Sequence, residues 1–268
     1  MNTFSQELAG LSVFVLGVVA SAAASLGTGV GALPVLAIRR VSLKTQDVLQ
    51  SVAAGIMLAA TAFSLVAPGV QSGSRLLGHP VFGALAVAAS ALAGATTVLL
   101  LHRRVPHEHF VSGFAGPASH RLRRTWLFVI AVTLHNFPEG LSVGVGFGGG
   151  DVVNGLELTL AILIQNVPEG FIVALGLLAA GVSPGISVLV SCATGFVETL
   201  GGLVGAAAVS LSSSVLPWAL GFAAGAMLFV ISHEIVPETH RNGYEVEATY
   251  GLLGGFLLMV VLDAALRA

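Results

Sequence analysis

Stretches of roughly 20 apolar residues, almost free of charge, recur along nearly the whole chain, and they confine it to a bilayer-spanning fold. Eight such segments can be read: Leu11–Leu33, Val48–Pro68, Pro80–Leu101, Trp126–Phe147, Leu156–Ala180, Gly185–Val209, Leu216–Val236 and Tyr250–Leu266. None shows the alternation of a membrane-barrel strand, so an all-α integral membrane protein with eight transmembrane helices is predicted. Only 9% of the residues are charged, against about 25% in soluble domains, too few to cover a water-facing surface. A net charge of −2 leaves no basic face for nucleic acid. The single cysteine, Cys192, lies inside an apolar run and reads as a small buried hydrophobe.

The residues before the first apolar run include Glu7 but no Lys or Arg, so this run reads as a first span rather than a signal peptide. Arg39, Arg40, Lys44, Arg103, Arg104, Arg121, Arg123, Arg124 and Arg241 fall on one side of the predicted membrane, with only Arg75 and Arg267 on the other. Positive charges mark the cytoplasmic side, which predicts a multi-pass protein of the cell (inner) membrane with both termini extracytoplasmic. Residues 1–268 read as one transmembrane domain whose only sizeable loop, 102–125, is cytoplasmic and rich in His and Arg. The third span has no charge between Pro80 and Leu101. It is expected to face lipid or a second subunit, as in a homodimer.

Two short repeats organise the spans. HNFPEG at 135–140 is echoed by QNVPEG at 165–170, and AAGIML at 53–58 by AAGAML at 223–228. In the predicted topology each pair crosses the membrane in opposite directions, the pattern of an inverted repeat with its substrate site near mid-bilayer. His135, Asn136, Glu139, Gln165, Asn166, Glu169 and Glu198 all fall within about one turn of mid-span. Ionisable groups at that depth cost about 2.5–3.5 kcal/mol each on insertion scales and point to function. His135 and Glu139 share a helix face, and Gln165 and Glu169 repeat the spacing. An imidazole, amides and carboxylates on opposed faces suit Zn²⁺, Fe²⁺ or Mn²⁺. Pro138 and Pro168 each remove a backbone donor, freeing the carbonyls of Leu134 and Ile164.

HNFPEG, QNVPEG, the TGFVETLGG run and GAMLFVISHEIVPETHRNG resemble the ZIP (Zrt/Irt-like) metal transporters, particularly their bacterial and GufA-type branch. The resemblance implies eight helices with 3+2+3 inverted symmetry and two adjacent metal positions. The first would use Met57, His135, Glu139, Gln165 and Glu169, and the second Asn136, Glu139, Asn166, Glu169 and Glu198. The family commonly has Asp where this chain has Asn166, so one strong metal position with a weaker neighbour is expected. The resemblance also implies an exit path at His233, Glu234 and Glu238, a metal-receiving loop at His107 and His109, and an outer entrance at Ser64.

The function that follows is transport of zinc, or of cadmium, iron or manganese, into the cytoplasm by alternating access, with the metal ion as substrate and the lipid bilayer as surroundings. Two rivals stay open. A proton-coupled permease for small organic cations would use the same glutamates to bind charge. An intramembrane zinc metalloprotease needs a pattern such as H-E-x-x-H, and the nearest string, HEIVPE at 233–238, ends in Glu. No enzyme is expected.

Overall fold

The structure, a computed structural model, describes residues 11–38, 40–104 and 118–267. Among these residues eight long helices run in chain order, most of them joined by short turns. They are α1 (Val13–Ala32), α2 (Leu43–Leu77), α3 (Pro80–Arg104), α4 (Ala118–Gly146), α5 (Val152–Ala179), α6 (Pro184–Leu211), α7 (Leu216–Thr239) and α8 (Glu245–Arg267). Side-chain caps start several of them. Ser12 accepts the Val15 N–H at 3.3 Å, Ser42 that of Thr45 at 3.1 Å, and Asp151 that of Asn154 at 3.0 Å. Seven are long and apolar enough to cross a membrane by themselves. The eighth, α4, is 29 residues long and carries the polar HNFPEG motif; it packs along α6 inside the bundle.

Helix ends depart from the predicted spans where apolarity and helicity part company. α2 extends beyond both Val48 and Pro68, ending at Gly78 in the left-handed region (φ 74°). Pro68 is tolerated because the helix restarts there, and a first turn has no use for its missing N–H. The loop set at 102–125 is helical through Arg104 and again from Ala118. α4 and α5 continue through Pro138 and Pro168 without breaking.

The inverted repeat is visible atom by atom. Both α2 and α7 contain a π-helical segment, Thr61–Val66 and Ile231–Ile235, at matching places after the AAG motifs. A side chain at Gly31 of α1 would strike the backbone of Val167, and one at Gly201 of α6 would strike that of Phe137. Likewise Gly140 of α4 abuts the carbonyl of Glu198 on α6, and Gly170 of α5 abuts that of Thr28 on α1. Each of these contacts becomes its mate when α1 exchanges with α6 and α4 with α5. The helix pairings obey the same rule: α2 packs on α8 as α7 packs on α3, and α1 on α5 as α6 on α4.

These pairings divide the molecule into two groups. Helices α1, α4, α5 and α6 pack on one another, as do α2, α3, α7 and α8. The groups meet chiefly where α2 crosses α5 and α7 crosses α4. Large apolar side chains cover the outer surface, including Leu92 (71% exposed) and Leu189 (68%), as a lipid-facing wall requires. Cys192 belongs to that wall: it is exposed on α6 rather than buried in protein, so lipid rather than a core receives it.

Close approach at Gly140 sets the distance between α4 and α6. Substituting Gly140→Ala places a methyl group on the Glu198 carbonyl, a rigid neighbour. The expected cost is about 1–3 kcal/mol, read as a lowered melting temperature of the purified protein in detergent.

Candidate metal centre

Three helices of one group each carry a glutamate with a buried oxygen inside the bundle. Glu139 of α4 faces Glu198 of α6 and Gln165 of α5 within hydrogen-bonding reach. Glu169, one turn beyond Gln165, lies within electrostatic range of both other glutamates. Glu139 and Glu198 are almost wholly buried, and Glu169 half-buried. The Gly140 contact brings the first pair together, because Glu139 precedes that glycine and Glu198 is the residue it touches.

The amides form a chain on the α5 side. Gln165 Nε2 donates to Asn166 Oδ1 at 2.5 Å. Asn166 Nδ2 in turn donates to Glu198 Oε1 at 2.6 Å and to the Ala24 carbonyl of α1 at 3.0 Å. Several buried polar atoms of the same residues and their neighbours have no hydrogen-bond partner: Asn136 Oδ1 and Nδ2, Glu139 Oε2, Glu169 Oε1 and Glu198 Oε2. Leaving a buried polar group unsatisfied costs about 1–3 kcal/mol, more when it is charged. Four of these atoms are oxygens, three of them from glutamates on three different helices.

His135 behaves differently from the expectation of one converging face. Its Nε2 pairs with Glu234 of α7 instead of turning to the carboxylates. Among the described residues, no three His, Cys, Asp or Glu side chains close on one point as a ready chelate. The His135–Glu234 pair joins the two helix groups at the π-helical segment of α7. Met57 lies one turn before the matching segment of α2, fully buried in the same apolar core as Ala161 and Ile162 of α5.

The three residues expected along an exit path do not share one surface. Glu234 is buried against His135, His233 is exposed with its ring 4.7 Å from that of Phe229, and half-buried Glu238 pairs with Arg241. His107 and His109 lie outside the described residues. Ser64 is fully buried in the α2 π-helical segment and donates to Glu157 of α5 at 3.3 Å. Glu157 escaped the sequence reading because it sits at the edge of the fifth span, where a carboxylate passes for a helix end. Its signal was its place eight residues before Gln165, inside an apolar run.

Residues 107–263 match the family described as ZIP Zinc transporter. Over 249 residues the chain is 48% identical to the zinc transporter ZIPB of Bordetella bronchiseptica, covering 93% of this chain and 81% of that protein. It is 47% identical over 251 residues to the zinc transporter GufA of Myxococcus xanthus, covering 93% of this chain and 98% of its relative. The human zinc transporter ZIP11 is 43% identical over 158 residues, covering 57% of this chain and 46% of that protein. With the all-helical bundle and its inverted repeat, these matches place the chain in the ZIP family of transporters.

Proposed function

We propose that this protein carries a divalent transition-metal ion, zinc first among them, from outside the cell to the cytoplasm through Glu139, Glu169 and Glu198. The relatives are named zinc transporters, and the chain is a membrane transporter rather than an enzyme. One observation carries the assignment of the site. Carboxylate oxygens of Glu139, Glu169 and Glu198, on α4, α5 and α6, and the Asn136 amide oxygen of α4 are buried without hydrogen-bond partners. Glu139 and Glu169 together neutralise one dication, and among the described residues no Lys or Arg forms an ion pair with them. His135, Gln165 and Met57 complete the first position, and Asn136, Asn166 and Glu198 shape a weaker second one.

The bonding of His135 suggests how the ion leaves. When its imidazole serves the metal it is lost to Glu234; when Glu234 holds it, as here, the metal keeps one ligand fewer. Release therefore couples to the contact between α4 and α7, the junction of the two helix groups. The group bearing the carboxylates moves against the other, exposing the site first to one side and then to the other. Cadmium, iron and manganese fit the same oxygen-rich set less or equally well, according to how much the Met57 thioether contributes.

Metal uptake into sealed proteoliposomes, measured with a panel of divalent ions, tests this reading. Zinc is expected to accumulate, and cadmium to compete with it. Competition by small amines in place of cadmium would favour an organic-cation permease and overturn it.

A further inference from the structure

Glu157 is a fully buried carboxylate that the mid-membrane site does not use. It lies eight residues before Gln165 on α5, about 12 Å along the helix, toward the side that the distribution of Arg and Lys makes the outer one. Leu65, Phe147, Leu158 and Ile162, nearly inaccessible, close the bundle around it. A carboxylate in such a plug is expensive, and packing alone gives no reason for it.

Its surroundings supply the reason. α2 and α5 cross antiparallel, and each presents a short stripe to the other. On α5 the stripe runs from Gln165 through buried Ala161 to Glu157; on α2 it runs from Met57 through buried Ala60 to Ser64. Each stripe starts at a proposed metal ligand, passes a small residue one turn away, and ends on an oxygen. The outer ends are joined by the Ser64–Glu157 bond at 3.3 Å. One turn before Glu157, Asn154 is 2% exposed. Its Nδ2 is fixed on the Gly146 carbonyl at 3.1 Å, while its Oδ1 is buried and has no partner. A carboxylate, a hydroxyl and an amide oxygen form a hard-oxygen set for a dication that has shed part of its water.

We infer that Glu157, with Ser64 and Asn154, is an outer station that receives the divalent cation before it passes Ala161 to the Gln165–Glu169 site. The inference rests on the transport reading above and adds a metal-binding position to it. Ser64 belongs to one helix group and Glu157 to the other, so opening between them bares the carboxylate to the outer solution. Closing reforms the hydrogen bond behind the departing ion. Because the station acts before the mid-membrane site, it governs capture at low metal concentration rather than turnover at high concentration.

Initial rates of zinc uptake into proteoliposomes, with equilibrium zinc content of the detergent-purified protein, decide the matter. For Glu157→Gln, KM for zinc is expected to rise about tenfold, the scale of losing one charge-assisted contact. Maximal rate should change far less than KM, and bound zinc should not exceed that of the parent. Glu157→Asp keeps the charge and should restore most of the difference, and Ser64→Ala should shift KM in the same direction by less. An unchanged KM in Glu157→Gln, or a fall in maximal rate alone, would overturn the station and leave a packing or gating group. Were Glu157→Gln to misfold, a wild-type KM in Ser64→Ala would overturn it equally. No zinc uptake by the unmodified chain would instead remove the transport reading beneath it.

Discussion

Replacing two glutamates, Glu139→Ala with Glu169→Ala, should abolish metal uptake while leaving the protein folded in the membrane. These side chains come from different helices, α4 and α5, and each holds a buried oxygen without a partner. With both removed, a dication at the mid-membrane site would meet Glu198 as its one remaining carboxylate. An isolated ion in hydrocarbon faces a penalty of tens of kcal/mol by simple solvation arguments, so uptake should fall to background rather than slow by a small factor. Folding should survive, because each carboxylate keeps one buried oxygen without a partner and its removal takes that cost away. Uptake rates beside the amount of protein recovered in membranes check both halves. Normal transport by this variant would refute the assignment.

Asn166→Asp should convert one tight metal position into two. In this chain the Asn166 amide donates to Glu198 and to the Ala24 carbonyl. Those two donations tie Asn166 to Glu198 and to α1 without a metal. Aspartate accepts and cannot donate, so it loses both bonds and sets a second carboxylate against Glu198. Two such groups at hydrogen-bond distance repel unless a cation lies between them. The variant should therefore be less stable than the parent when metal is stripped and more stable when zinc is abundant. Elemental analysis should find zinc content rising from about one to about two per chain, the second ion held in the way an added carboxylate permits. Equal, tight occupancy of two positions in the unmodified chain would contradict the weaker-neighbour reading.

Much of this architecture could be read from the chain beforehand, and the reasons are specific. Glu139, Glu169 and Glu198 stood out because a carboxylate within an apolar span has no bland explanation. The repeated N-x-P-E-G strings disclosed the exchange of α4 with α5, and the structure gives their glycines a shared task, closing α4 on α6 and α5 on α1. Exchange of α1 with α6 was harder to see. It is carried by small residues such as Gly31 and Gly201, which composition alone cannot distinguish from other glycines of a membrane helix.

The π-helical segments left only a faint trace. Pro68 and Pro237 each follow one by two residues. A proline takes away the bond that would hold the preceding turn to the usual register, and a widened turn accommodates its ring. Which of two neighbours His135 would choose was not legible at all. Hydropathy shows its depth but not whether its ring turns to the carboxylates or to α7, and that choice depends on how the two helix groups stand against each other. Cys192 shows the same limit, since an apolar run reads alike whether protein or lipid covers it.

The decisive measurement is anomalous X-ray scattering at the zinc edge from crystals of the zinc-loaded protein. A peak is expected at mid-membrane between Glu139 and Glu169, within about 2.0–2.2 Å of a carboxylate oxygen from each. Zinc bound elsewhere in the chain, with no peak between those two residues, would contradict the account.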